Sequence, residues 1–307
     1  IENVWNILNS ELYGMNNVKE RLIELYYMKT IAPSSSGSII SLEGPPGVGK
    51  THICSTLAKA AGLEFERISA AGIEDPSLIK GGMASHIGGE PSIITLALRR
   101  MKSSNGIVLI DEVDKISTHT AQQALLHVLD PTQNQEVRDH FLNINIDYSR
   151  IWFILSMNSS EMLDPALRDR LEIIKVPSYS KNEIKRITKN YVFPRERTRY
   201  LLPESITISD DAVETIYNRY QGDIEKTGVR PIEKVIRQIL AKLLVLYRNR
   251  DSNGNVRLNI PLTYNISRLS ESFVIDRFSD PTDGKVVDIS KLLPKDSPSP
   301  SFLNLYT

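Results

Sequence analysis

The sequence predicts an α/β fold, a parallel sheet flanked by helices, followed by a small all-α domain. Three observations carry this. Residues 1–178 alternate apolar strand-like runs with helix-like stretches, the pattern of a parallel sheet whose faces are covered by helices. From Tyr179 to about residue 250 the strand signals fade and long amphipathic patterns take over. The first strand-like run, "SIISLE", passes through a glycine-rich turn directly into a helical pattern. The expected boundaries are 1–178 for the α/β domain, 179–250 for the helical domain and 251–307 for an irregular tail or linker.

The elements follow in order. "SIISLE" is β-branched and apolar, as a buried strand requires, and "THICSTLAKAAG" has helical spacing that ends at Gly62. Between them, "GPPGVGKT" fits G-x-x-x-x-G-K-[ST], with Gly44, Gly49, Lys50 and Thr51 at the fixed positions. A glycine loop at a helix N-terminus gathers backbone N–H groups around an anion, and the helix dipole favours negative charge there. The backbone of Gly44, Pro45, Pro46, Gly47, Val48 and Gly49 would cradle phosphates. Lys50 would reach the outer ones, and the Thr51 hydroxyl would face Mg²⁺.

"FERIS" is the next strand, and "GIVLIDEVD" the one after. Four apolar residues end in Asp111 and Glu112. An Asp at that strand end can hold Mg²⁺ with Thr51, and the Glu after it can deprotonate an attacking water. "AQQALLHVLD" reads as a helix, and "WFILSMN" as a buried strand that delivers Asn158 at its end, where an amide can position water or touch the γ-phosphate. "DPALRDRLEIIKVP" places Arg168 and Arg170 before a further strand. A planar guanidinium suits a developing phosphate charge, and a neighbouring subunit can supply it. In the helical region Ser209 is the expected N-cap of "SDDAVETIYNRY". Pro231 lies near the start of "RPIEKVIRQILAKLLVLYRN", with Arg230 just before that helix.

Composition excludes some alternatives. Lys+Arg and Asp+Glu are each 37 of 307 residues, so the net charge is zero and gives no support to wholesale nucleic-acid binding, which leaves only a local basic patch open. No apolar run is long enough to cross a bilayer. The single cysteine, Cys54, forms no internal disulfide and reads as packing, and a reducing compartment fits. The Asn-x-Ser matches at Asn158 and Asn265 are then read as chance. The chain begins with Ile1 and is taken as a fragment.

This ordered set resembles the ATPase module of Lon proteases, within the AAA+ ATPases. The resemblance runs from the start of the chain to about Asn249. It rests on "YGMNNVKERLIE", "GPPGVGKT", "LEFERISAAGIED", "VLIDEVDKIS", "ALLHVLDPTQN" and "GVRPIEKVI", in that order. It implies an AAA+ P-loop fold with a helical lid, ATP and Mg²⁺ as ligands, and a homo-oligomer, a hexameric ring with ATP at each interface. The substrates would be unfolded or damaged proteins, threaded through the channel to a Ser-Lys peptidase domain. The compartment would be the cytoplasm or, alternatively, the mitochondrial matrix. It places Tyr13 and Gly14 beside adenine, makes Asn158 and Arg230 sensors of the γ-phosphate and Arg170 an arginine finger, and puts His86 and Ile87 on a pore loop. Two departures stand out. Residues 250–307 show no Ser-centred peptidase motif, which keeps open a stand-alone remodelling ATPase acting on protein or DNA. In "GGMASHIGGEP" His86 stands where Lon has an aromatic residue, and the stretch between Lys115 and Ala124 is a few residues shorter than in Lon.

Overall fold

The computed structural model describes residues 2–31, 39–258, 262–264, 266–277 and 283–294. The chain divides into two compact units, Ile1–Ser178 and Tyr179–Thr307.

The first unit contains helices α1 (Glu2–Glu11) and α2 (Asn16–Ile31), strand β1 (Ile39–Glu43), α3 (Lys50–Ala61), β2 (Glu64–Ser69), α4 (Ser77–Lys80) and α5 (Ile93–Met101). Then come β3 (Gly106–Asp111), α6 (His119–Leu129), the hairpin strands β4 (Val137–Asp139) and β5 (Ile144–Ile146), β6 (Trp152–Met157), α7 (Pro165–Arg168) and β7 (Leu171–Lys175). Five strands form one parallel sheet in the order β2-β3-β6-β1-β7. The pleat explains why β3 and β6 read as continuous apolar runs. Ile107 and Leu109 point to the face covered by α1, α2 and α3. Val108 and Ile110 point to the other, covered by α5 and α6. Both strands are buried throughout, whereas β2, at the sheet edge, is partly exposed.

The second unit contains α8 (Lys181–Ile187), α9 (Phe193–Arg199), β8 (Thr207–Ile208), α10 (Asp210–Thr227), α11 (Arg230–Arg248), β9 (Val274–Asp276), β10 (Val286–Asp288) and α12 (Ile289–Leu292). Ser209 caps α10 by accepting from the Ala212 N–H. On α11, Ile232, Val235, Ile236, Ile239, Leu240, Leu243 and Leu246 are buried, an i, i+3, i+4, i+7 stripe.

The tail departs from the irregular reading. β8, β9 and β10 form a parallel three-stranded sheet, and Phe273, Ile275, Val287, Ile289 and Leu292 are buried with it. These strands are two or three residues long, too short to show a period, and β9 gains its partner from β8, some seventy residues earlier. The rest of "PKDSPSP" after Pro294, and Asn265, lie outside the described residues.

Candidate functional site

β3, β6 and β1 are adjacent, and their C-terminal ends carry Asp111, Asn158 and the Gly44–Thr51 loop side by side. The crevice at the carboxyl ends of a parallel sheet is where such folds bind ligands. The loop has little freedom to be anything but glycine-rich. A Cβ on Gly44 would sit 2.2 Å from the Val176 carbonyl oxygen. Gly49 holds φ at 92° as the N-cap of α3.

Lys50 is 9% exposed, and its ammonium folds back over the loop. It donates to the Gly44 carbonyl, to Pro45 O at 3.1 Å and to Asn158 Oδ1 at 3.2 Å. The charge therefore sits at the loop mouth, already in contact with the amide from β6. The Thr51 hydroxyl donates to Asp111 Oδ2 at 3.2 Å. Two hard oxygen donors thus meet beside the loop, a donor set that suits Mg²⁺. With the glycine cradle at Gly44, these residues fit a magnesium nucleotide.

Asp111 is 5% exposed and has two further partners that the sequence reading did not identify. The Arg67 guanidinium donates from Nε at 2.8 Å and pairs through a terminal nitrogen at 2.7 Å, both to Asp111 Oδ2. Ser156 Oγ donates to Oδ1. The register explains Arg67. It pairs with Leu109, two residues before Asp111, so both side chains leave the same face of neighbouring strands. The only local signal was an arginine inside a strand pattern. Asp114, the last acid of "DEVDK", also joins the site. Its Oδ2 accepts from the Asn158 N–H at 3.3 Å and so ties the turn after β3 to the end of β6.

Glu112 holds a left-handed backbone, φ 61° and ψ 42°. A non-glycine residue in that region is strained by roughly 1–3 kcal/mol, and such strain clusters at functional sites. In the adjoining turn, Val113–Lys115, Val113 is buried, whereas Glu112 is half-buried. Tyr13 and Gly14 form the link between α1 and α2, with Gly14 at φ 60° and Met15 at φ 54°. Beside it, a cavity of about 660 Å³ is lined by Met15, Asn16, Glu43, Gly44 and Val176 among others, so the link and the glycine loop share one cleft. A second cleft, about 770 Å³, lies at the N-terminal ends of the strands near Ile39, Asn105 and Trp152, and none of the predicted nucleotide residues lines it.

Cys54 is fully buried in α3, and burial, then the Asp111 charge, pushes its thiol well up. It packs and is not reactive. His86 and Ile87 lie on an exposed loop pinned by Gly82 N–H to Glu90 O at 2.9 Å and His86 N–H to Met83 O at 3.0 Å.

Arg170 is not gathered with the others. It precedes β7, which runs parallel to β1, so it lies at the opposite end of the sheet from the loop that follows Glu43. Five residues of parallel strand span roughly 16 Å. That is further than one arginine side chain extends. Arg168 is exposed in the last turn of α7. Arg230, expected just before its helix, is the first residue of α11, and is exposed in the second unit.

Residues 40–178 match the ATPase family associated with various cellular activities (AAA). The Lon protease of Syntrophus aciditrophicus is 38% identical over 75% of this chain. The chain is an AAA+ ATPase module of Lon type. The Lon protease of Nitratidesulfovibrio vulgaris is 37% identical over 79% of the chain, and the mitochondrial Lon protease homolog 1 of Dictyostelium discoideum 35% over 92%. The Lon-type module spans about 30% of the length of these relatives, with 29% of the first and third covered and 30% of the second. No helix among its described residues is long and apolar enough to cross a membrane.

Proposed function

We propose that this module hydrolyses ATP in a ring of like subunits and converts the energy into unfolding and threading of polypeptides, as the motor of a Lon-like protease. The observation that carries the hydrolytic part is the hydrogen-bonded chain at the strand ends. Lys50 touches Asn158, 108 residues away, and Thr51 touches Asp111, 60 residues away. Lys50 and the loop amides hold the phosphates, and Thr51 and Asp111 hold Mg²⁺. The metal, when bound, neutralises charge on the β- and γ-phosphate oxygens. Glu112 takes a proton from water as its oxygen attacks the γ-phosphorus. The bond to the β-phosphate breaks, and its electron pair leaves with ADP. Asn158 orients that water, and Tyr13 and Gly14 contact adenine. Little covalent chemistry is asked of the protein, and positioning and charge do the rest.

The testing experiment is phosphate release by the full-length protein alongside nucleotide titration. Lys50→Ala removes the loop's ammonium, and we expect Mg-ATP binding and turnover to fall sharply together. Unchanged affinity and turnover would remove the phosphate-loop assignment.

The polypeptide part rests on the loop that carries His86 and Ile87. Ile87 is fully exposed and Met83 is exposed, both large apolar side chains in water. Two exposed apolar side chains on one short loop between Gly82 and Gly88 are read as a small contact surface. An extended chain is the substrate such a tip grips. His86 keeps its backbone bonds to the loop and contributes a smaller, more polar face than an aromatic would. We expect Ile87→Ala in the full-length protein to slow unfolding of a tagged substrate while basal ATP hydrolysis stays near wild type. Equal unfolding rates would show that the tip does not touch the translocating chain.

A further inference from the structure

Arg170 lies too far from its own glycine loop to serve it, yet its guanidinium is not left loose. One terminal nitrogen donates to Asp130 Oδ2 at 3.1 Å. The arginine side chain is 52% exposed, whereas that of Asp130 is 6% exposed. A buried carboxylate therefore holds a half-exposed cation at the rim. The Arg170 backbone is fixed as well. Its N–H donates to Leu167 O at 3.1 Å, and its carbonyl accepts from the Ile39 N–H at 3.0 Å.

The two oxygens of Asp130 have separate tasks. Oδ1 accepts from the Thr132 N–H at 2.9 Å and the Thr132 hydroxyl at 2.7 Å, which fixes the turn after α6. Oδ2 faces Arg170. The Asp130 carbonyl accepts from the Asn134 N–H at 2.9 Å, and Asn134 is itself buried, so the turn is anchored in the core. Burial pushes the Asp130 carboxyl up, but the Thr132 N–H and hydroxyl, then the Arg170 charge, bring it below its ordinary value. It is ionised at neutral pH.

A guanidinium has five N–H donors, and a single contact to Asp130 leaves most of the fork turned outward. Arginine has a long side chain with much rotamer entropy, part of which this pairing removes in advance. A bidentate pair would compete with phosphate, whereas a single bond orients the group without consuming it. We propose that Asp130 is a positioning residue that holds the Arg170 guanidinium ready for the γ-phosphate of ATP bound by a neighbouring subunit. This deepens the ring reading above and rests on Arg170 being the arginine finger that the resemblance to Lon implies.

The separate tasks of the two oxygens make the idea testable in the full-length protein. Asp130→Asn keeps an amide oxygen for Thr132 and turns an NH₂ group, a second donor, toward Arg170. We expect kcat to fall roughly ten- to a hundredfold, the scale of one charged hydrogen bond, with KM for ATP and the thermal midpoint little changed. Asp130→Ser keeps an acceptor for the turn and offers nothing to Arg170, so it should lose kcat similarly and serves if the Asn variant folds poorly. Thr132→Ala, which disturbs only the turn, should keep its kcat. Mixing Asp130→Asn subunits with Glu112→Gln subunits should restore hydrolysis, because an intact base then meets a held arginine. Mixing them with Arg170→Ala subunits should not. Normal turnover by Asp130→Asn beside a dead Arg170→Ala variant would overturn the proposal while sparing Arg170. An equal loss in Thr132→Ala would do the same, and failed complementation would overturn the proposal together with the in-trans role of Arg170. A fully active Arg170→Ala variant would overturn both.

Discussion

Replacing Glu112 by Gln is expected to leave ATP bound and to slow its hydrolysis by about 10²–10⁴, the usual scale for loss of a general base. The substitution is narrow. Gln has the same length and tolerates the left-handed backbone at φ 61° as well, or as badly, as Glu, so the strain after β3 is common to both proteins. Asp111 keeps its bonds to Thr51, Arg67 and Ser156, and Lys50 keeps its place over the loop. Nothing that holds the nucleotide is removed. The amide still accepts a hydrogen bond from water but cannot take its proton. Fluorescent-nucleotide titration should therefore show near-normal affinity while phosphate release shows the loss. Wild-type turnover in this variant would mean that the proton goes elsewhere.

Replacing Arg170 by Ala should be comparably severe, on the order of a 10³-fold loss or more, the range in which arginine fingers act. The argument is topological. β1 and β7 are parallel and in register from Ile39–Leu171 to Glu43–Lys175, so Arg170 and the glycine loop lie beyond opposite ends of the same pair of strands. If Arg170 acts on phosphate at all, it acts on another molecule's. Two consequences follow. Specific activity of the wild-type protein should rise with its concentration. Arg170→Ala and Glu112→Gln subunits, each inactive alone, should recover activity when mixed, because some interfaces then pair an intact base with an intact arginine. Specific activity independent of concentration, with no recovery on mixing, would place the whole reaction within one subunit.

Much of the site could be read without the structure, because it is written in local patterns. The glycine loop needs particular residues at fixed spacing on either side of one turn. Its reasons are local ones, a positive φ at Gly49 and a close backbone approach at Gly44. Asp111, Glu112 and Asn158 were found because each ends a run of buried apolar residues, and the end of such a run is where a strand delivers a side chain to the crevice. The long stripe of α11 and the Ser209 cap were legible for the same reason.

Arg67 was invisible to this reasoning. Nothing near it in the sequence names Asp111, 44 residues away. The pairing exists only because β2 lies next to β3 with Arg67 two positions short of Asp111 in register. The bond between Asp130 and Arg170, 40 residues apart, is of the same kind. So is the small sheet of β8, β9 and β10, whose strands are too short to carry a period.

Local sequence alone set the alternation of strands and helices, the glycine-rich turn, the acidic pair after β3, and the place of the amide after β6. Each of these is fixed by backbone sterics and side-chain periodicity over a few neighbouring residues. Strand order was left to the tertiary structure. The order β2-β3-β6-β1-β7 puts Arg67 on Asp111, Asn158 on Lys50, and Arg170 at the far end of the sheet from its own glycine loop. The physical reason is that contacts across a parallel sheet join segments separated by whole helices, and their geometry is set by which hydrophobic faces pack together, a property of the entire core and of no single stretch.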